Sequence, residues 1–239
     1  MPPRTPSPIL TFTRVGKTYA TAAGPFHALR DVSLGVSPGE FVAVVGRSGS
    51  GKTTLLHLMA GIDLPTEGEV TVAGESLGQR TEDERARFRG VHLGVVFQFF
   101  QLLPTLTVAE NVVLPMDLCN VWPKGERRKR ALALLDRFGV GAQADKLPAA
   151  LSGGEQQRAA IARALANDPP IVLADEPTGN LDSGASEIVV GALAALAKEG
   201  KTVVMVTHER NVAIPFTRTL ELEDGRLVGE PPAMRRAHA

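Results

Sequence analysis

Residues 41–54 have the sequence FVAVVGRSGSGKTT, an apolar run followed by a glycine-rich segment that ends in lysine and threonine. The run at residues 41–45 is typical of a strand buried on both faces. Residues 46–53 fit the pattern G-x-x-x-x-G-K-[ST], and apolar residues at helical spacing follow them. A buried strand, such a loop and a helix in direct succession predict an α/β nucleotide-binding core with a mostly parallel sheet.

The loop itself predicts a triphosphate site. Its glycines let backbone N–H groups turn inward around phosphate oxygens, and the start of the helix adds partial positive charge. Lys52 would reach the β- and γ-phosphates, and the Thr53 hydroxyl would bind Mg²⁺. The predicted phosphate-binding set is Gly46, Arg47, Ser48, Gly49, Ser50, Gly51, Lys52, Thr53 and Thr54.

A second apolar run, at residues 171–174, leads directly into Asp175 and Glu176. Consecutive strand residues project to opposite faces, so we expect the two carboxylates to have different roles. Asp175 is the predicted Mg²⁺ ligand, directly or through water. Glu176 is the predicted general base that orients and deprotonates the attacking water, a role worth about 10²–10⁴ in rate.

The sequence changes character on either side of this core. Alternating β-prone residues predict an antiparallel β-lobe, with strands at 9–15, 28–36 and 68–73. Helical patterns separated by prolines, Pro115 among them, predict a helical insertion from about 80 to 166, with helices at 82–89, 108–118, 126–138 and 155–166. The core resumes with strands at 171–174 and 202–206, a helix at 185–199 and a hairpin turning at 224–225. We expect one unit at 9–229 between tails at 1–8 and 230–239.

The bulk composition is that of an ordinary globular protein, with 44% hydrophobic and 22% charged residues and a formal net charge of +0. This balance gives no indication of binding to nucleic acid or to an anionic membrane surface. The single cysteine, Cys119, excludes an internal disulfide and suits a reducing compartment. No run of about 18 apolar residues occurs, so any membrane connection is expected to come through a partner.

Residues 151–158, LSGGEQQR, predict a second anion site. Ser152 is suited to the N-cap of a helix, and Glu155 completes a capping box. Gly153 and Gly154 between them leave backbone N–H groups exposed beside the helix start. A capping box alone does not need two consecutive glycines.

With this segment the sequence resembles the ABC ATPase family, whose LSGGQ-type signature is matched here as LSGGE. The resemblance covers residues 9–228, and it implies roles for residues whose own patterns are uninformative. Tyr19 is implied to stack on adenine, and Gln98 to act in catalysis and as a Mg²⁺ ligand. Asp182 follows Asn180 and Leu181 in the implied D-loop. His208 is implied to hydrogen-bond the γ-phosphate and to help position the attacking water.

The resemblance further implies that two copies pair head to tail. Each ATP would lie between the phosphate loop of one copy and the signature residues Ser152, Gly153, Gly154 and Glu155 of the other. Asp182 would link the two sites across this interface.

The segments FQFFQLLPTLTVAENV, DEPTGNLDS and VVMVTHE are similar to the lipoprotein-releasing and macrolide-export subfamily. Such a protein works with an integral-membrane permease, so we expect a peripheral location at the cytoplasmic face of the cell membrane. Phe99 and Phe100 cannot easily both face one core, so we expect at least one to be exposed for a partner. The sequence does not identify the cargo or the permease.

The sequence leaves three other functional hypotheses to consider. A cell-division ABC ATPase would also pair with a membrane protein but move no substrate. An ABC ATPase acting on nucleic acid could use the basic cluster at residues 127–130, although four charges at the start of an amphipathic helix more often form a solvated face. Intact Glu176, Gln98 and His208 argue against a non-hydrolysing nucleotide sensor. After His208 the sequence departs from the usual family pattern, and Pro215 is expected to break the helix that the family has in this segment.

Overall fold

The computed structural model describes residues 7–208 and 216–228. The strands in these ranges are β1 (Leu10–Thr21), β2 (Gly24–Val36), β3 (Phe41–Val45), β4 (Glu67–Val72), β5 (Glu75–Ser76), β6 (Leu93–Val96), β7 (Ile171–Asp175), β8 (Thr202–Thr207), β9 (Arg218–Glu223) and β10 (Arg226–Leu227). The α-helices are α1 (Lys52–Met59), α2 (Glu82–His92), α3 (Val108–Cys119), α4 (Lys124–Arg137), α5 (Gly153–Ala164) and α6 (Ser183–Lys198). None of the helices in the described ranges is long and apolar enough to cross a bilayer.

The central sheet has the strand order β10-β9-β3-β8-β7-β6. The pairs β3–β8, β3–β9, β7–β8 and β6–β7 are parallel, and only the terminal hairpin β9–β10 is antiparallel. Alternate residues of a strand enter different cores: Val203 and Met205 belong to one apolar cluster, Val204 and Val206 to the other. This confirms both the predicted fold class and the prediction that the core strands are buried on two faces.

The predicted antiparallel β-lobe is confirmed as a second sheet, with the order β2-β1-β4-β5. Its first two strands are much longer than predicted, because the outer half of the hairpin was not recognised. Residues 16–27 are mostly half-buried or exposed, so they lack the alternation of apolar and polar residues that identifies a strand. Backbone pairing across β1 and β2 forms this outer half, interrupted by several register shifts.

The segment between β5 and β7 carries α2 to α5, as predicted. Apolar residues of α3, α4 and α5 share one cluster with those of α6, whereas Phe88 of α2 belongs to the other cluster. The helix predicted at 108–118 is confirmed as α3, and Pro115 lies inside it rather than at a boundary between elements. The helix continues because Val112 and Met116 on either side of the proline are fully buried, and their packing outweighs one lost backbone hydrogen bond. The expectation for Pro215 falls outside the described residues, and the domain boundaries remain predictions.

Candidate nucleotide-binding site

The phosphate loop joins β3 to α1 in a conformation that its glycines make possible. Gly51 is the N-cap of α1 with a φ of 102°, and a Cβ there would lie 2.5 Å from the carbonyl oxygen of Ala28. A Cβ on Gly46 would lie 2.3 Å from the carbonyl oxygen of Leu222. The loop is therefore held between the β-lobe and the terminal hairpin, with no space for side chains at these two positions.

Lys52 is buried and its ammonium group is directed back over the loop. Its Nζ donates hydrogen bonds to the carbonyl oxygens of Gly46, at 3.0 Å, and Arg47, at 2.9 Å. The same nitrogen lies 3.8 Å from Oε1 of Glu176. The structure thus brings the predicted phosphate-binding cation next to the predicted general base.

Glu176 occupies the first position after β7, where the chain turns sharply. Its φ of 41° is in the left-handed region, which costs a non-glycine residue about 1–3 kcal/mol. The alternation of side-chain direction along β7 therefore ends at Asp175. The sharp turn at Glu176, rather than the alternation along a strand, gives the two carboxylates different directions. Strain of this kind is concentrated at functional sites, which agrees with the role predicted for Glu176.

His208, directly after β8, places its imidazole on the other side of this carboxylate. Its Nδ1 lies 3.1 Å from Oε2 of Glu176. The two carboxylate oxygens of Glu176 therefore have different neighbours, the ammonium of Lys52 and the imidazole of His208. Because His208 is more than half exposed, the carboxylate has access to solvent water on that side.

Asp175 and Thr53 form the predicted cation-binding pair. The Thr53 hydroxyl donates to Oδ1 of Asp175 at 3.4 Å. Burial raises the pKa of the Asp175 carboxyl, and nearby positive charge at His57 opposes that effect. No cluster of three or more His, Cys, Asp or Glu side chains suitable for a metal occurs in the described ranges. A hydroxyl and one carboxylate fit Mg²⁺, which takes oxygen ligands and completes its shell with water and substrate phosphates.

Gln98, two residues beyond β6, reaches the turn that follows Glu176. Its backbone carbonyl accepts a hydrogen bond from the Asn180 side chain at 3.2 Å. Its side-chain amide nitrogen lies 2.9 Å from the position that a Cβ on Gly179 would occupy, so a side chain at position 179 would displace the Gln98 amide. The residues after it, Phe100 and Gln101, both have positive φ.

The signature segment has the predicted capping box. The Ser152 hydroxyl accepts from the Glu155 N–H at 3.3 Å, and Oε2 of Glu155 accepts from the Ser152 N–H and hydroxyl, each at 2.8 Å. The amide of Gln143 donates to the other carboxylate oxygen of Glu155 at 3.0 Å. Both carboxylate oxygens of Glu155, which was predicted as a nucleotide contact, thus accept hydrogen bonds from its own chain. These bonds hold the Ser152 side chain in place.

The two signature glycines differ in what surrounds them. A Cβ on Gly154 would lie 3.0 Å from Cβ of Ala185, because α5 and the start of α6 pack closely there. The packing of these two helices therefore favours glycine at position 154, in addition to the exposed N–H groups that the sequence predicted. A Cβ on Gly153 would meet only ordinary contacts, at 3.6 Å from Leu181 and from Phe100.

Asp182 caps α6, with its Oδ1 accepting from the Ala185 N–H at 2.8 Å. Its side chain is exposed, on the same surface as the signature segment. The atoms nearest to Gly153 and Gly154 belong to Asn180, Leu181, Ala185, Phe100 and Arg158.

Tyr19 lies in the outer half of β1, in a contact network that the sequence did not predict. Its hydroxyl donates to Oδ2 of Asp63 at 2.8 Å, and Oδ1 of Asp63 lies 2.6 Å from Nζ of Lys17. Burial raises the pKa of Tyr19, and the hydrogen bond to Asp63 adds to this, whereas a hydrogen bond from Thr54 lowers it. These partners are 44 and 46 residues apart in sequence, and no motif connects them.

The adjacent aromatic residues Phe99 and Phe100 point in different directions. The side chain of Phe99 is 68% exposed, which confirms the expectation that one of the two is available to a partner. Phe100 is half-buried beside Gly153. Arg163 of α5 donates to the backbone carbonyls of Phe100 and Gln101. Burial lowers the pKa of this guanidinium to about 10.

Three of the four cations in the 127–130 cluster have partners within the chain. Arg127 is buried and pairs with Asp117 at 2.5 Å. Arg128 pairs with Asp145 at 2.7 Å. The Arg130 guanidinium lies over the Trp122 ring at 4.0 Å. These contacts support the structural interpretation of the cluster.

Comparison with known proteins identifies the family of the chain. A family model described as ABC transporter matches residues 29–179. The chain is 44% identical to an uncharacterised ABC transporter ATP-binding protein of Mycobacterium tuberculosis, over 96% of this chain and 91% of the relative. It is 48% identical to the lipoprotein-releasing system ATP-binding protein LolD of Aquifex aeolicus, over 86% of this chain and 91% of the relative. The macrolide export ATP-binding/permease protein MacB of Burkholderia pseudomallei is 45% identical over 93% of this chain, which spans 34% of that protein.

Among solved structures, the dimeric post-hydrolysis state of the ATP-binding cassette MJ0796, bound to ADP and Pi, matches with a TM-score of 0.86 and 44% identity. The match covers 93% of this chain and 97% of that one. The chain therefore belongs to the ABC transporter family, and its residues form the ATP-binding domain of that family.

Proposed function

We propose that the chain hydrolyses ATP as one half of a head-to-tail pair and thereby drives a membrane permease. The observation that carries the hydrolytic part is the position of Glu176, between Lys52 at 3.8 Å and His208 at 3.1 Å. From there the carboxylate takes a proton from water as the water oxygen attacks the γ-phosphorus. The bond from the γ-phosphorus to the bridging oxygen breaks, which releases ADP and phosphate.

The other residues of the site bind and position the triphosphate. Lys52 and the backbone N–H groups of the loop neutralise the phosphate charge, and His208 hydrogen-bonds the γ-phosphate. Thr53, Asp175 and Gln98 would hold Mg²⁺, which supplies charge neutralisation on the phosphate oxygens when bound. Tyr19 would provide an aromatic surface for the adenine.

The pairing is supported by the surface on which the signature segment lies. Gly153 and Gly154 begin α5 with N–H groups that can bind an anion. Their nearest neighbours within the chain include Leu181, Phe100 and Ala185. The anion bound there would be the triphosphate of an ATP held by the phosphate loop of a second copy. The dimeric state of the MJ0796 cassette supports pairing of two such chains.

The permease partner is supported by exposed apolar side chains at the start of the helical segment. Phe99 is 68% and Leu103 45% exposed. Phe99 directly follows Gln98 and Leu103 belongs to the same segment. A partner bound at Phe99 would therefore be close to Gln98, whose backbone carbonyl is hydrogen-bonded to Asn180 in the turn after Glu176. Relatives named for lipoprotein release and macrolide export favour an export-type system of mechanical coupling, with the chain at the cytoplasmic face of the cell membrane.

The test is the mass of the Glu176→Gln variant in solution with Mg²⁺ and either ATP or ADP. We expect the 25.3 kDa chain to double in mass with ATP and to stay monomeric with ADP, because the triphosphate joins the two surfaces. Ser152→Ala in the same background should weaken the ATP-dependent pair. A variant that remains monomeric with ATP, alone and with its permease, would refute the pairing.

A further inference from the structure

Asp63 is the centre of a small polar network beside the phosphate loop. Its carboxylate accepts from the Tyr19 hydroxyl at 2.8 Å, from Lys17 Nζ at 2.6 Å and from the Leu64 backbone N–H at 2.7 Å. Burial by itself would raise the pKa of this carboxyl, but the hydrogen bonds from Lys17, Tyr19 and Leu64 outweigh it and lower the pKa. The carboxylate is therefore charged and firmly held.

The same network limits how the Tyr19 ring can move. The Lys17 ammonium lies 4.9 Å from the ring centroid, over one face, so a flat ligand has only the opposite face to stack on. The Tyr19 hydroxyl donates to Asp63 and interacts with Thr54. Because the hydroxyl and one face of the ring are both in contact with neighbouring side chains, the ring has little freedom to rotate.

This network is attached directly to the triphosphate site. Thr54 lies in the first turn of α1, which begins with Lys52 and Thr53. At the other end of α1, the backbone N–H of Asp63 bonds to the carbonyl of His57. The cross-strand partner of Lys17 is Leu29, whose side chain lies against Gly51. The ring is thus linked to the phosphate loop through one short helix and one strand pair.

We propose that Asp63 and Lys17 are positioning residues for the nucleobase, which hold the Tyr19 ring as a preformed stacking surface at a fixed distance from the phosphate loop. This inference rests on the proposed binding of ATP with adenine on Tyr19. Binding then does not need to immobilise a free aromatic side chain, a cost that corresponds to about two- to tenfold in affinity.

The test compares the binding of ATP with the binding of inorganic tripolyphosphate, which has no base, to the full-length chain. Asp63→Asn and Lys17→Met should each weaken ATP about two- to tenfold and leave tripolyphosphate affinity and kcat unchanged. Tyr19→Phe, which keeps the ring and loses only the hydroxyl, should weaken ATP to a similar extent. Asp145→Asn, which breaks an exposed ion pair in the helical segment, is the matched control and should change neither affinity.

The double variant Asp63→Asn/Lys17→Met should bind ATP no more weakly than the weaker of the two single variants, because both act through one ring. Fully additive losses would overturn the inference, and so would an equal loss of tripolyphosphate affinity. If Tyr19→Ala weakens ATP while Asp63→Asn and Lys17→Met do not, the positioning role alone is refuted. If Tyr19→Ala has no effect on ATP, adenine stacking in the proposed function is wrong as well.

Discussion

Replacing Glu176 by glutamine should separate ATP binding from ATP hydrolysis. Glutamine has the size of glutamate and can still hydrogen-bond to His208, but it cannot accept a proton from water. We expect turnover to fall by about 10²–10⁴, the usual contribution of a general base. This loss corresponds to about 3–5 kcal/mol of activation free energy.

The same substitution should tighten ATP binding, and the distances in the site give the magnitude. At 3.8 Å, the Lys52–Glu176 attraction is about 1 kcal/mol at the dielectric constant of water and about 4 kcal/mol at an effective value of 20. The Glu176 side chain is partly exposed, so the lower figure is the appropriate one. Removing the competing carboxylate should then improve ATP affinity about fivefold.

The assay is phosphate release at saturating Mg²⁺-ATP together with a titration of ATP against the same protein. Glu187→Gln, which neutralises an exposed carboxylate on α6, is the matched control and should leave both quantities unchanged. Hydrolysis at the wild-type rate would refute the role of Glu176 as the base. Weaker rather than tighter ATP binding would refute the electrostatic competition for Lys52.

Two further predictions concern stability. Gly51→Ala should lower the free energy of unfolding by more than the roughly 1–3 kcal/mol expected from backbone strain, because its Cβ would also approach the Ala28 carbonyl to 2.5 Å. Gly49→Ala has a positive φ but open space around the new Cβ, so chemical denaturation should show a smaller loss, and equal losses would contradict the steric argument. Hydrogen bonds from the Ser152 backbone and hydroxyl lower the pKa of Glu155 below its ordinary 4.5. Because this pKa is lower in the folded than in the unfolded state, the Glu155 carboxylate stabilises the fold at pH values above the unfolded-state pKa. That stabilisation is lost as the pH falls through the folded-state pKa. The free energy of unfolding should therefore fall less steeply in acid for Glu155→Gln than for wild type, as measured by chemical denaturation at several pH values.

The sequence was most informative where local patterns and chemistry coincide. The strand at residues 41–45, the loop at 46–53 and the Ser152–Glu155 capping box each combine a periodicity with a residue-specific requirement, and the structure has them where they were predicted. The proximity of Glu176 and Lys52 depends on the strand order of the sheet, in which β3 and β7 lie on either side of β8. That order is visible only in the structure.

What the sequence did not predict depends on contacts between distant residues. The outer half of the β1–β2 hairpin is held by backbone pairing, and its side chains carry no apolar alternation. Asp63 has no motif, because its role depends on where a loop after α1 meets β1. The close approach of Ala185 to Gly154 was not predicted, because it becomes visible only when α5 packs on α6.

The composite site between two copies can be tested most directly by mixing two defective chains. One chain carries Lys52→Ala, which damages the phosphate loop, and the other carries Gly154→Asp, which damages the signature; both also carry Glu176→Gln to block hydrolysis. In a head-to-tail pair of unlike chains, both defects fall in the same site, and the other site is intact. We predict that the mixture forms an ATP-dependent dimer, whereas neither chain alone forms a dimer with ATP. If the mixture behaves like the separate chains, each ATP site is complete within a single chain, and the proposed pairing is wrong.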